Sequence, residues 1–176
     1  EGAIRPWQYH NWYDLMKADV STALGMSVIG WLHTWFGLSS GYDYVTLAGI
    51  VLFFIPFARI SMYKDKVYQL LILAFMLIWV IIFNRKAESP TYIIAVTGVG
   101  IWYFCMPRNR WRTALLFLVL VFTSLSTTDF FPRYVSNTYI RPYTIKAVPC
   151  IIAFCVVLAE LLRLRPAADV VPIAET

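Results

Sequence analysis

Two polar stretches in an otherwise oily chain carry the residue types that hold an anion. "FNRKAESPTY" (83–92) places Arg85, Lys86, Glu88 and Ser89 between the apolar runs "LLILAFMLIWVII" and "IIAVTGVGIWYFCM". "TDFFPRYVSNTYIRPYTIK" (128–146) adds Asp129, Arg133, Arg141 and Lys146. Guanidinium forks and an ammonium suit a phosphate or pyrophosphate, whose charge needs several donors once it is partly desolvated. Five cations, Arg85, Lys86, Arg133, Arg141 and Lys146, are therefore expected to bind a lipid phosphate, with Glu88, Asp129 and Ser89 orienting them. Blander readings compete. The first stretch also fits a solvated corner in which Pro90 starts a new helix. Lys146 also fits a side chain that snorkels to an interface, and the same cations suit anionic lipid or salt bridges to the two acids.

Little else in the chain points to chemistry. The cysteines Cys105, Cys150 and Cys155 lie in apolar stretches without the spacing of a zinc site, so they read as packing residues and no metal or cofactor is expected. His33, on an aromatic segment, reads as structural, and His10 adds no partner for it. The serine-hydrolase elbow, the zinc-protease helix motif and the phosphate-binding glycine loop are all missing from the sequence.

The elements that must position these residues follow from composition. Hydrophobic residues make up 60% of the chain and charged ones 14%, against about 45–50% and about 25% in soluble domains, which predicts a membrane protein. Five apolar segments approach the roughly 20 residues a span requires: 42–58, 67–83, 90–106, 112–126 and 143–162. Their length and lack of strict alternation favour helices, giving an all-α polytopic membrane bundle of about five transmembrane helices. The segment "DVSTALGMSVIGWLHTWFGLSSG" reads as an N-terminal interfacial or re-entrant helix, with Asp19 or Ser21 as its cap. The expected domains are an outer-face loop over 1–41, a transmembrane bundle over 42–165 and a disordered cytoplasmic tail over 166–176.

Charge sets the orientation. Arg59, Lys64 and Lys66, then Arg108, Arg110 and Arg112, then Arg163 and Arg165 fall on one side, assigned as cytoplasmic. Both polar stretches fall on the other side, in a multi-pass protein of the plasma (inner) membrane. The chain begins at Glu1 without a leader pattern and reads as the C-terminal part of something longer.

"IFNRKAESPTYIIAVTGVGIWYF" together with "FTSLSTTDFFPRYVSNTYIRPYTIKAVPCIIAF" resembles the C-terminal part of family-87 glycosyltransferases, and "STALGMSVIGWLHTWFG" resembles the polar loop before their last spans. The resemblance covers roughly 19–162. It implies an enzyme that moves a hexose, often mannose, from a polyprenol-phosphate donor to a glycan or glycolipid acceptor on the outer face of the membrane. An acid in an early outer loop would be the general base, which places it upstream of this chain. Better-known members carry histidines after the Ser-Pro, in an "SPxSWxHH" pattern. Here Ser89-Pro90 runs into "TYIIAVTGV", so the phosphate contacts would pass to Arg85, Lys86 or Lys146. A transporter or flippase component and a non-catalytic scaffold are the alternatives. Lipid bilayer is an expected partner and nucleic acid is not.

Overall fold

The computed structural model describes residues 10–15, 25, 27–84, 87, 89–124 and 144–164, and these are all-helical. Residues 10–15 are helical, and the helices that follow are α1 (Val28–Phe36), α2 (Tyr42–Phe57), α3 (Lys66–Ile82), α4 (Tyr92–Cys105), α5 (Arg110–Val119) and α6 (Ala147–Arg163). Short 3-10 turns cover Ile60–Met62 and Ser89–Thr91, and Leu120–Ser124 prolongs α5 as a π turn.

The polytopic membrane bundle expected from composition does not survive this geometry. Among the described residues no helix is long and apolar enough to cross a membrane. The longest, α3 and α6, have 17 residues each. At about 1.5 Å per residue they reach about 25 Å, short of a hydrocarbon core about 30 Å thick. The multi-pass plasma-membrane localisation falls with the spans on which it rested.

Local chemistry trims each segment. Pro90 sits inside a 3-10 turn, so α4 starts at Tyr92. Pro107 ends the same helix: the residue before it, Met106, is extended at φ −109° and ψ 152°, as the proline ring demands. The fourth segment holds only ten α-helical residues before the π turn. In the fifth, Thr144 adopts a left-handed φ of 47°, and α6 begins only at Ala147.

The N-terminal helix is also displaced. Ser27, not Asp19 or Ser21, caps α1 by accepting from the Gly30 amide at 3.3 Å. Residues 19 and 21 lie outside the described residues, as does the expected tail over 166–176. Gly37, at φ 65°, closes α1 in a left-handed cap, with its amide on the His33 carbonyl at 3.1 Å.

Helix α3 is the centre of the bundle. Its buried residues Tyr68, Leu71, Ile72, Phe75, Ile78 and Ile82 recur every three or four positions and meet α4 and α6. The α3–α4 contact is close because Gly98 has no side chain: a Cβ there would lie 2.7 Å from the Ala74 carbonyl oxygen. Stacked or tilted rings, Phe53 on Phe75 and Phe75 on Phe154, tie α2 and α6 to α3. The Trp79 indole donates to the Gly49 carbonyl at 2.8 Å, pinning α2 from within the interface.

The outer faces stay apolar. Leu47, Val51 and Phe54 on α2, Phe104 on α4 and Phe117 on α5 are all exposed.

Candidate functional site

Buried polar groups are few, and the helix order gathers them. Ser27, Thr123, Thr144 and Lys146 are the buried polar and charged residues among those described. Helices α2, α3, α4, α5 and α6 alternate in direction, so the start of α4, the end of the α5 π turn and the start of α6 share one end of the bundle. Helix α1 reaches the same place: a Cβ on Gly30 would lie 3.6 Å from the Thr144 methyl carbon.

Lys146 is the central cation. It is 3% exposed, and a lysine so deeply enclosed is held by partners rather than by water. It occupies the N-cap of α6 in a helical conformation (φ −59°, ψ −32°). The backbone at this helix start is already engaged: Ala147 donates to the Thr144 carbonyl at 3.0 Å and Val148 to the Ile145 carbonyl at 3.2 Å. Pro149 has no amide hydrogen. Positive charge for an anion must therefore come from the Lys146 ammonium rather than from free helix amides.

Thr144 stands beside it with two features a packing residue would avoid. Its Oγ1 is buried without a hydrogen-bond partner, and its backbone is left-handed. A β-branched residue at positive φ costs on the order of 1–3 kcal/mol. A buried hydroxyl without a partner costs a further ~1–3 kcal/mol. Both costs are borne within three residues of a buried lysine.

One turn along α6, on the face that carries Lys146, Cys150 is fully buried and lies beside Tyr92, the first residue of α4. Burial pushes the Cys150 thiol up to about 12 and raises the Tyr92 phenol as well, the thiol adding a smaller push to it. Neither ionises near neutral pH, so Cys150 is no thiolate nucleophile and Tyr92 acts only as a neutral hydroxyl. Through this pair the loop between α3 and α4 meets the start of α6. The loop turns inward at Ala87, 2% exposed, whose amide donates to the Asn84 carbonyl at 3.1 Å.

Of the residues singled out in the sequence, Lys146 is thus enclosed at this end rather than snorkelling outward. Ser89 opens the 3-10 turn that leads into Tyr92. Arg85, Lys86, Glu88, Asp129, Arg133 and Arg141 lie outside the described residues. The sequence reading passed over Tyr92, Thr123 and Thr144, and it took Cys150 as a packing residue. The signal for Tyr92, Thr144 and Cys150 was present in "SPTY" and "YTIKAVPC", where a hydroxyl or thiol sits next to or one helical turn from the polar stretch.

A second network missed from sequence occupies the opposite end. Arg112 donates to Glu160 at 2.5 Å and to the Pro107 carbonyl at 2.5 Å, and its guanidinium stacks 5.4 Å from the Trp111 ring. The Trp102 indole donates to the other Glu160 oxygen at 2.5 Å. Arg59 donates to the carbonyls of Leu161, Leu162 and Leu164, closing the C-terminus of α6. Glu160 was the clue, a single acid inside "AFCVVLAELL". This arrangement is structural: Arg112, Trp102 and Glu160 bind one another, with Arg112 Nε left buried without a hydrogen-bond partner, and no group of acids, histidines or cysteines among the described residues can hold a metal ion.

No family model matches the chain, and no curated protein or solved structure is similar to it.

Proposed function

We propose that the chain is part of a hexosyltransferase that takes its sugar from a polyprenol-phosphate donor, with the polar end around Lys146 receiving the donor phosphate. The observation that carries this reading is a buried lysine two residues from a buried hydroxyl that lacks a partner, at the end of the bundle where Tyr92 of α4 meets Cys150 of α6. An ammonium and a hydroxyl donor together match a phosphate monoester or diester oxygen. The resemblance of "FNRKAESPTYIIAV" to family-87 glycosyltransferases supplies the reaction class, and the exposed apolar helix flanks suit the isoprenoid tail of such a donor.

In the reaction, the acceptor hydroxyl oxygen of a glycan or glycolipid attacks the anomeric carbon while the bond from that carbon to the phosphate oxygen breaks. The electron pair leaves on the phosphate, and the acceptor proton passes to a base that the resemblance places upstream of this chain. Lys146 offsets the charge that grows on the departing phosphate, an electrostatic term that favours the transition state over the ground state. Thr144 orients the same group through Oγ1.

Binding of a short-chain polyprenyl phosphate, measured in neutral detergent, tests this reading. Lys146→Met keeps the volume of the side chain but strands the groups that hold the ammonium, so helicity and thermal unfolding are measured beside binding. The affinity is expected to fall at least about tenfold in Lys146→Met, and by less in Thr144→Val, with helicity unchanged. Unchanged affinity in Lys146→Met would remove Lys146 from donor binding.

A further inference from the structure

The end of the bundle opposite Lys146 has its own charge pattern, independent of any donor site. The contacts of Arg59 and Arg112 with the last turns of α6 bring the 58–66 segment, the 107–112 segment and Arg163 together there. Lys64, Lys66, Arg108, Arg110 and Arg163 are exposed at this end, and none is in an ion pair among the described residues. The acids nearby are already engaged. Asp65 accepts from the Val67 amide at 2.8 Å as the cap of α3, and Glu160 binds Arg112 and Trp102. Among the described residues this end therefore carries net positive charge.

Four of these five cations, all but Lys64, border a large apolar side chain that is also exposed. Val67 follows Lys66, Trp111 follows Arg110 and Leu162 precedes Arg163, while Phe104, 75% exposed, lies one turn before Pro107 and Arg108. A depression of about 390 Å³, lined by Tyr103, Arg108, Asn109, Arg110 and Thr113, opens between them. A duplex phosphate backbone is met by cations alone, whereas an amphiphile calls for cations with aliphatic and aromatic flanks beside them. Trp111 at the junction has the amphipathic ring that settles at a headgroup layer.

We infer that this end is a docking surface for the anionic headgroups of lipids whose acyl chains lie along the adjoining apolar flanks. Arg108 and Arg110 hold the headgroup phosphate, and Phe104 and Phe117 adjoin the chains. Attraction of this kind weakens as salt shortens the screening length from about 10 Å at 0.1 M to about 3 Å at 1 M.

Equilibrium binding of phosphatidylglycerol and phosphatidylcholine from neutral detergent micelles is the test. Phosphatidylglycerol is expected to bind at least about tenfold tighter, with the preference shrinking in high salt. The double variant Arg108→Gln, Arg110→Gln should lose about 30-fold in phosphatidylglycerol affinity and little for phosphatidylcholine. Lys146→Met should leave the preference intact, which separates this surface from the donor site. Equal affinity for the two lipids overturns the inference, as does a preference that survives the double variant. Competition by inorganic phosphate as effective as that by the lipid also overturns it, because the ligand would then be free phosphate.

Discussion

Glu160 shows how a single side chain sets the energetics of one end of this bundle. With Arg112 and Glu160 side chains only 16% and 14% exposed, the pair sits well away from bulk screening. Breaking it from one side leaves the other charge poorly solvated, a cost of up to about 3–5 kcal/mol for fully buried pairs and somewhat less here. Glu160→Gln keeps an acceptor for the Trp102 indole and removes only the counter-charge of Arg112. Thermal unfolding should therefore show a loss of about 2–3 kcal/mol in Glu160→Gln. The double change Arg112→Met, Glu160→Leu should recover most of it, since both charges are gone. A double variant as unstable as the single one would mean that the stacking of Arg112 on Trp111, rather than the ion pair, dominates. At this scale the sequence was partly readable. Lys146 stood out as a cation in an apolar run, but Arg112 and Glu160 are 48 residues apart, and only folding makes them a pair.

Helix boundaries are where sequence periodicity and the structure part. The runs over 42–58 and 67–83 closely match α2 and α3, because their ends carry unambiguous stops and caps, Pro56 near one end and Asp65 as the cap of the other. The runs over 90–106, 112–126 and 143–162 are each shortened by backbone events that hydropathy does not register. A proline inside a 3-10 turn, a π turn and a left-handed threonine leave the residues apolar but take them out of the α-helix. Apolar length therefore overstates helical length, and the membrane-spanning architecture read from it was wrong for that reason. Close helix contact gives a matched pair of predictions within α4. Gly98→Ala drives a methyl to 2.7 Å from the Ala74 carbonyl oxygen and should cost about 1–3 kcal/mol in thermal unfolding. Gly100→Ala meets nothing within 4 Å and should stabilise by up to about 1 kcal/mol through helix propensity. Equal effects at the two positions would contradict the close α3–α4 packing.

Across the whole molecule, polarity is sorted to the two ends while the flanks stay apolar. One end gathers a structural network around Arg59, Arg112 and Glu160 and a rim of exposed cations. The other encloses Lys146, Thr144 and Tyr92 where the starts of α4 and α6 meet. The grouping of the basic segments was legible because their spacing follows the up-and-down order of the helices. The inner polar cluster was not, because a hydroxyl in "YTIK" looks the same in sequence whether it is buried or wet. The central claim is that the enclosed end takes the phosphate of a lipid-linked sugar. A polyprenyl phosphate carrying a diazirine next to its phosphate, photolysed on the protein and mapped by mass spectrometry, tests it most directly. Cross-links concentrated in the peptides holding Tyr92 and Thr144–Cys150, and lost in Lys146→Met, are the predicted result. Cross-links spread along the apolar flanks, or confined to the Arg108–Arg110 end, would contradict it.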